Sequence, residues 1–212
     1  MTDKTAVASQ IRRAFAGSEY PGDPYIQGSH EGCEPSDEVG PFAAHHDWTE
    51  LEAAFLDRHY NALSFFSEAG FRYFLPAYLL ADLDNRLSTA DPLFHLTHGF
   101  HDAVLDIRGA TRTWSRRLGA SVLLNPRRYG AITFADYSRF RLSVFTREEA
   151  ASIVAYLQYK RETDPDGLSG AAIDAALRSF WLERAERAPA SPDLARHVAA
   201  EHDFLADMSR QE

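Results

Sequence analysis

The sequence predicts an all-α fold, a single irregular domain of about seven or eight helices that spans residues 1–212. Apolar residues recur at spacings of three and four along most of the chain, without the regular heptads of a coiled coil. With 45% hydrophobic and 25% charged residues, the composition is that of an ordinary globular protein, and 212 residues fit one domain. A short strand near 139–145 is the one exception left open.

The first helix is predicted over residues 4–16, where Val7, Ile11 and Phe15 follow each other at spacings of four. Glycine and proline recur throughout residues 17–47, which predicts an irregular acidic arm or long loop near the N-terminus. A helix over 49–63 follows.

Ser67 is then a suitable N-cap for a helix that reaches Leu83. Its apolar residues lie on nearly every side, so it is expected to be the most buried helix of the domain.

Asp91 followed by a proline predicts the start of a helix over 92–108, with one apolar stripe along its length. Thr113 could open a short helix that ends near Gly119. Residues 139–145 alternate apolar and polar side chains as a half-buried strand does, but they also fit a helix that begins at Phe134.

The last third of the chain is clearer. Thr146 and Glu149 form a capping box before an apolar stripe, and Ser169 caps another helix. Ser191 precedes a proline and an aspartate, which predicts the start of a final helix.

Charge is unevenly distributed along the chain. Residues 19–57 carry ten acids and no Lys or Arg, whereas residues 106–147 carry nine Arg, no Lys and two acids. The two segments therefore hold −10 and +7 in a protein of net charge −9. Either they neutralise each other in the fold, or one is kept for a partner of opposite sign.

The arginine segment is the strongest candidate binding site. Guanidinium groups bind carboxylate or phosphate bidentately, and aromatic rings can stack on a base or on the arginine itself. The candidates for contact with an anion or a partner are Arg108, Arg112, Arg116, Arg117, Arg127, Arg128 and Trp114. The alternative is that these arginines pair with the acidic arm inside the fold.

The acidic arm is a second candidate surface, because a strongly negative segment favours association with a basic partner. Its proposed contact residues are Glu31, Glu34, Asp37 and Glu38.

A metal site is the third candidate. On a continuous helix His95, His98 and Asp102 lie at i, i+3 and i+7 and share one face, and two imidazoles with one carboxylate can bind zinc or iron. The alternative is a polar helix face that happens to be rich in histidine. We expect no cofactor, with a divalent metal as the exception.

Several classes of function find no support in the residues. The chain contains no nucleotide-binding loop and no nucleophile motif. The charge of −9 disfavours duplex nucleic acid, and no apolar run approaches the ~20 residues that a membrane span needs. Cys33 is alone, which is consistent with a reducing, cytoplasmic setting.

Three blocks resemble an uncharacterised bacterial family of unknown function. These are LSFFS (63–67), FRYFLPAYLLADL (71–83) and FTREEAASIVAYLQY (145–159). The resemblance implies a bacterial, mostly helical cytoplasmic domain and carries over no activity.

The charge pattern favours a non-catalytic binding protein, of the adaptor or immunity type, whose partner is another protein or a small anionic ligand. The alternative is a small enzyme that uses the His95/His98/Asp102 set or the segment from Arg108 to Arg141.

Overall fold

Helices make up most of the structure, as the sequence predicts. The computed structural model describes residues 3–100, 103–108, 112–118, 134–165, 167–188 and 203. The first six α-helices are α1 (Lys4–Phe15), α2 (Glu34–Val39), α3 (Ala53–Arg58), α4 (Ala62–Phe65), α5 (Glu68–Leu83) and α6 (Pro92–Thr97). After them come β1 (Ala103–Arg108), β2 (Thr113–Leu118), α7 (Phe134–Leu142), α8 (Arg147–Thr163), α9 (Gly170–Ala176) and α10 (Leu182–Arg187). A π-helical turn, Leu177–Trp181, joins α9 to α10.

The core is built around α5 and α8. As predicted, α5 is buried on nearly every side, from Glu68 to Leu83, and Ser67 caps it by accepting a hydrogen bond from the Gly70 N–H. Helix α5 packs against α1, α3 and α6, and α8 packs against α1 and α10. The largest fully buried side chains include Trp181, Tyr78, Tyr156 and Phe145, so one hydrophobic core joins both ends of the described chain.

The irregular acidic arm or long loop predicted for residues 17–47 is not confirmed. These residues contain the 3₁₀ turn Asp23–Tyr25, helix α2 and the 3₁₀ turn Gly40–Ala44. This segment lies against the start of α5, because the Ser67 N–H donates to the Ile26 carbonyl and the Gly28 N–H donates to the Phe65 carbonyl. The contact is so close that a Cβ at Gly70 would lie 2.5 Å from the Ile26 carbonyl oxygen.

The predicted helix over 92–108 is wrong. Helix α6 ends at Thr97, His98 is already extended, and Gly99 adopts a φ of +88°, which favours glycine. Residues 103–108 form β1 instead, paired antiparallel with β2 from Ala103–Leu118 to Arg108–Thr113. The short helix proposed to open at Thr113 is also wrong, because residues 113–118 form β2.

Other boundaries differ in detail. The helix predicted over 49–63 is divided into the 3₁₀ turn Trp48–Glu50, α3 and α4. Of the two alternatives for 139–145, the structure has the helix that begins at Phe134. The predicted final helix, from Ser191 onward, lies outside the described residues.

Candidate functional site

Two predicted histidines lie beside an arginine in a small cavity. The cavity has a volume of about 210 Å³, and we call it the Arg141 pocket. It is lined by Ser64, Phe94, His95, His98, Tyr137, Ser138, Arg141 and Leu142. These residues come from α4, from α6 and its C-cap, and from α7, so it forms where three helices meet.

The periodicity of α7 places Arg141 in the pocket. Ser138 and Arg141 are three residues apart and therefore lie on the same side of the helix, and both are buried. Arg139 and Phe140, between them, are exposed. The Ser138 hydroxyl donates a 2.8 Å hydrogen bond to the His98 carbonyl, which fixes α7 against the end of α6.

Arg141 is buried without an acidic partner. Its side chain donates a hydrogen bond to the Leu63 carbonyl, and its guanidinium carbon lies 4.3 Å from the centroid of the Phe71 ring. Within the part of the chain that the structure describes, no Asp or Glu forms an ion pair with it. A guanidinium has five N–H donors, so most of the hydrogen-bonding capacity of Arg141 is available in the pocket.

A second buried arginine shows the contrast. Arg184 also forms no ion pair with a carboxylate of the described residues, but it donates three hydrogen bonds to the carbonyls of Ser143 and Phe145. Burial lowers its pKa to about 10, partly offset by the negative charge of Glu149. Arg184 thus joins α10 to the residues that follow α7. Arg141, by contrast, donates one hydrogen bond to a carbonyl of the described residues and lines a cavity.

His95 supplies a neutral imidazole to the same cavity. Burial, the positive charge of Arg141 and the nearby His98 together lower the pKa of His95 from 6.5 to about 3. The imidazole is therefore neutral at pH 7 and carries one N–H donor and one acceptor nitrogen. No other described residue forms a hydrogen bond to either ring nitrogen, so both groups can serve a ligand.

The three predicted metal ligands do not lie on one continuous helix. His98 follows α6 instead of lying on it, and Asp102 lies outside the described residues. Among the residues that the structure does describe, no group of three or more His, Cys, Asp or Glu could hold a metal ion. The full three-residue set stays a prediction, without its original helical premise.

Strands β1 and β2 carry four of the residues that the sequence predicts to contact an anion or a partner. In the register of these strands Arg108 pairs with Thr113, Arg116 with Leu105 and Arg117 with Val104, so these three arginines lie on strands and not on a helix. Trp114 is in β2, opposite Ile107. Arg112 is exposed between the strands, and Arg127 and Arg128 lie outside the described residues.

Helix α2 carries most of the predicted acidic contact residues. The Asn61 side-chain amide donates to Glu34 and the Asn61 backbone N–H donates to Glu38, so these two carboxylates bind within the protein. Glu31 and Asp37 are exposed. The contact with a basic partner stays a prediction, and it now depends mainly on Glu31 and Asp37.

The described arginines at the C-terminal end of the arginine segment do not pair with the acidic segment. Arg139, Arg141 and Arg147 make no ion pair with the acids of residues 19–57 among the described parts of the chain. The buried ion pair instead joins Arg72 and Glu149, at 2.8 Å. Sequence reasoning missed this pair and the role of Arg141. The available signal for Arg141 was its spacing from Ser138 on the helical alternative for 139–145.

Comparison with known proteins identifies a family whose function is unknown. No helix in the described ranges combines the length and apolarity that crossing a bilayer requires. No curated protein and no solved structure matches the chain. The sequence model of a family of unknown function, DUF6714, matches residues 3–185, in agreement with the resemblance noted above, and the chain therefore belongs to that family.

Proposed function

We propose that this protein is a binding protein that holds an anionic group, a phosphate or a carboxylate, in the Arg141 pocket. The observation that carries the proposal is the buried guanidinium of Arg141, which faces a cavity and has no acidic partner in the described structure. Removing a charged group from water is costly unless hydrogen bonds and an opposite charge compensate it. An anion in the cavity would provide both.

The remaining lining suits the same ligand. His95 is neutral and can donate its one N–H to an oxyanion, next to the fork of N–H groups that Arg141 offers. The Ser138 hydroxyl already donates to the His98 carbonyl, so it can only accept. The pocket therefore favours a ligand with several acceptor oxygens.

Binding without reaction is the better-supported role. A general base works best when its pKa lies near the working pH, and the pKa of His95, at about 3, is far below 7. Among the described residues that line the cavity, none is a carboxylate that could replace it. A single, exposed Cys33 is consistent with a cytoplasmic location, which we include in the proposal.

The test is isothermal titration calorimetry with inorganic phosphate and, separately, acetate. We expect the wild type to bind phosphate and Arg141→Met to bind it at least tenfold more weakly, because charge-assisted hydrogen bonds contribute about 1.5–3 kcal/mol each. Arg139→Met is the matched control, since Arg139 lies two residues earlier on α7 and is exposed. It should bind as the wild type does.

Arg141→Lys covers the case in which the methionine variant does not fold, since it keeps the charge and removes the planar fork. It should fold and bind phosphate more weakly than the wild type. Equal affinities for the wild type and both Arg141 variants, or no binding of either anion to the wild type, would refute the proposed function.

A further inference from the structure

The mouth of the Arg141 pocket carries an exposed aromatic ring. Phe94 and His95 are neighbours on α6, and both line the cavity, but Phe94 is 49% exposed. Its ring is stacked on that of His98, with centroids 4.6 Å apart and an angle of 29° between the planes. The His95 ring meets Phe94 edge-on, at 5.3 Å. A large apolar ring is thus held in a fixed orientation next to the buried charge and remains open to solvent.

The size of the cavity limits what can enter it. Pockets that enclose a drug-sized molecule have volumes of roughly 300–1,000 Å³. The Arg141 pocket, at about 210 Å³, is smaller and can hold an acid group but not a whole drug-sized molecule such as a nucleotide. The rest of such a ligand would extend past the mouth, where Phe94 and His98 are.

From this arrangement we infer that the ligand is an acid group joined to a planar ring, as in a nucleoside monophosphate. The inference rests on the proposed function. Arg141 and His95 would bind the acid group, and the ring would stack on Phe94. Stacking on an aromatic side chain suits any planar ring, because each has a π-face, so the inference names a class of ligand and leaves the identity of the base open.

The experiment compares four probes by titration calorimetry: adenosine 5′-monophosphate, ribose 5-phosphate, adenosine and nicotinate. The first two differ in the adenine base, which ribose 5-phosphate lacks. Adenosine has the base but no acid group. Nicotinate replaces the phosphate with a carboxylate. We expect the nucleotide to bind about tenfold more tightly than ribose 5-phosphate, which is in the range that one stacked base contributes. Adenosine should bind more weakly than either, and the affinity of nicotinate shows whether a carboxylate suffices.

Substitution of Phe94 isolates the contribution of the ring. Phe94→Ala and Phe94→Leu should weaken nucleotide binding about tenfold and ribose 5-phosphate binding much less, because neither replacement offers a π-face. Because the side chain is half exposed, both variants are expected to fold. Phe140→Ala is the matched control, since Phe140 is 42% exposed and does not line the pocket.

Two failures can be told apart. If ribose 5-phosphate and the nucleotide bind equally, or if Phe94→Ala weakens both to the same extent, the inference about the ring is wrong while the anion site stands. If neither compound nor inorganic phosphate binds, the proposed function fails and the inference fails with it.

Discussion

His95 is an imidazole that the fold keeps uncharged. Its pKa of about 3 lies below the value of 6.5 expected in the unfolded chain, because burial, Arg141 and His98 all oppose protonation. At a pH between these values the unfolded state binds a proton that the folded state does not. Stability from this residue is therefore fully present above pH 6.5 and is lost as the pH falls toward 3.

Urea unfolding at a series of pH values measures this effect. Between pH 7 and pH 5 we expect the free energy of unfolding of the wild type to fall by about 1–2 kcal/mol because of His95 alone. His95→Gln cannot take up a proton and should lose that part of the pH dependence. A variant whose pH dependence equals that of the wild type, or an imidazole resonance of His95 that titrates near pH 6.5, would contradict this account.

Single residues of the pocket were only partly predictable. His95 and His98 are conspicuous in the sequence as a closely spaced pair, and both line the cavity. The metal site predicted for them stays a prediction. Arg141 is one of nine arginines in a short segment, and its spacing of three from Ser138 separates it from Arg139 only if residues 134–142 are taken as a helix. What separates them is which side of α7 faces the core, and that depends on α4 and α6, which are distant in sequence.

At the scale of the helix, the N-terminus of α8 shows how a local motif becomes a tertiary contact. The predicted capping box is confirmed: Thr146 accepts from the Glu149 N–H, and Glu149 accepts from the Thr146 N–H. Glu149 is almost fully buried and also accepts hydrogen bonds from Arg72 on α5 and from the Ser18 hydroxyl. One carboxylate thus joins α8, α5 and the segment after α1.

Glu149→Gln should destabilise the protein by about 2–4 kcal/mol, because it removes the charge that pairs with Arg72 and leaves the mostly buried Glu149 position with a poorer partner. Arg72 is 23% exposed, which keeps the loss below that of a fully buried pair. Urea unfolding is the measurement.

Glu148→Gln is the matched control for that substitution. It removes the same charge in the same helical turn from an exposed side chain, so the expected change is below about 0.5 kcal/mol. Equal destabilisation by the two substitutions would mean that the buried contacts of Glu149 contribute nothing.

Elements were predicted well where apolar residues at helical spacing follow a capping residue, as in α1, α5 and α8. The helix over 92–108 failed because Val104 and Ile107 continue the spacing of α6, although both are β-branched residues of β1. Gly99 marks the true break. The position of residues 17–47 was out of reach, because their backbone pairs with residues 65–67, about forty positions away.

At the scale of the whole molecule, several carboxylates of the acidic segment accept hydrogen bonds from other residues of the protein. The Asp57 carboxylate accepts hydrogen bonds from the Ser88 hydroxyl and from the backbone N–H groups of residues 88–90. Burial acts to raise the pKa of Asp57, but these hydrogen bonds outweigh it and hold the pKa at about 2. Asp47 caps the turn Trp48–Glu50 in the same way. Donors close to the acids in the described structure thus satisfy several of them.

The acids also affect how an anion could approach the Arg141 pocket. The net charge of −9 repels an anion at long range, so binding has to come from short-range contacts in the pocket. We expect Arg141 to provide them, since it forms no ion pair with a carboxylate in the described structure.

The most direct test is a phosphate titration followed by ¹⁵N–¹H spectroscopy of the arginine side chains, with the Nε–H resonance of Arg141 assigned by its loss in Arg141→Lys. We expect this resonance to shift progressively and to saturate, while that of the exposed Arg139 moves little. If the Arg141 resonance does not move over the whole titration, the guanidinium does not contact the anion, and the Arg141 pocket is not a binding site.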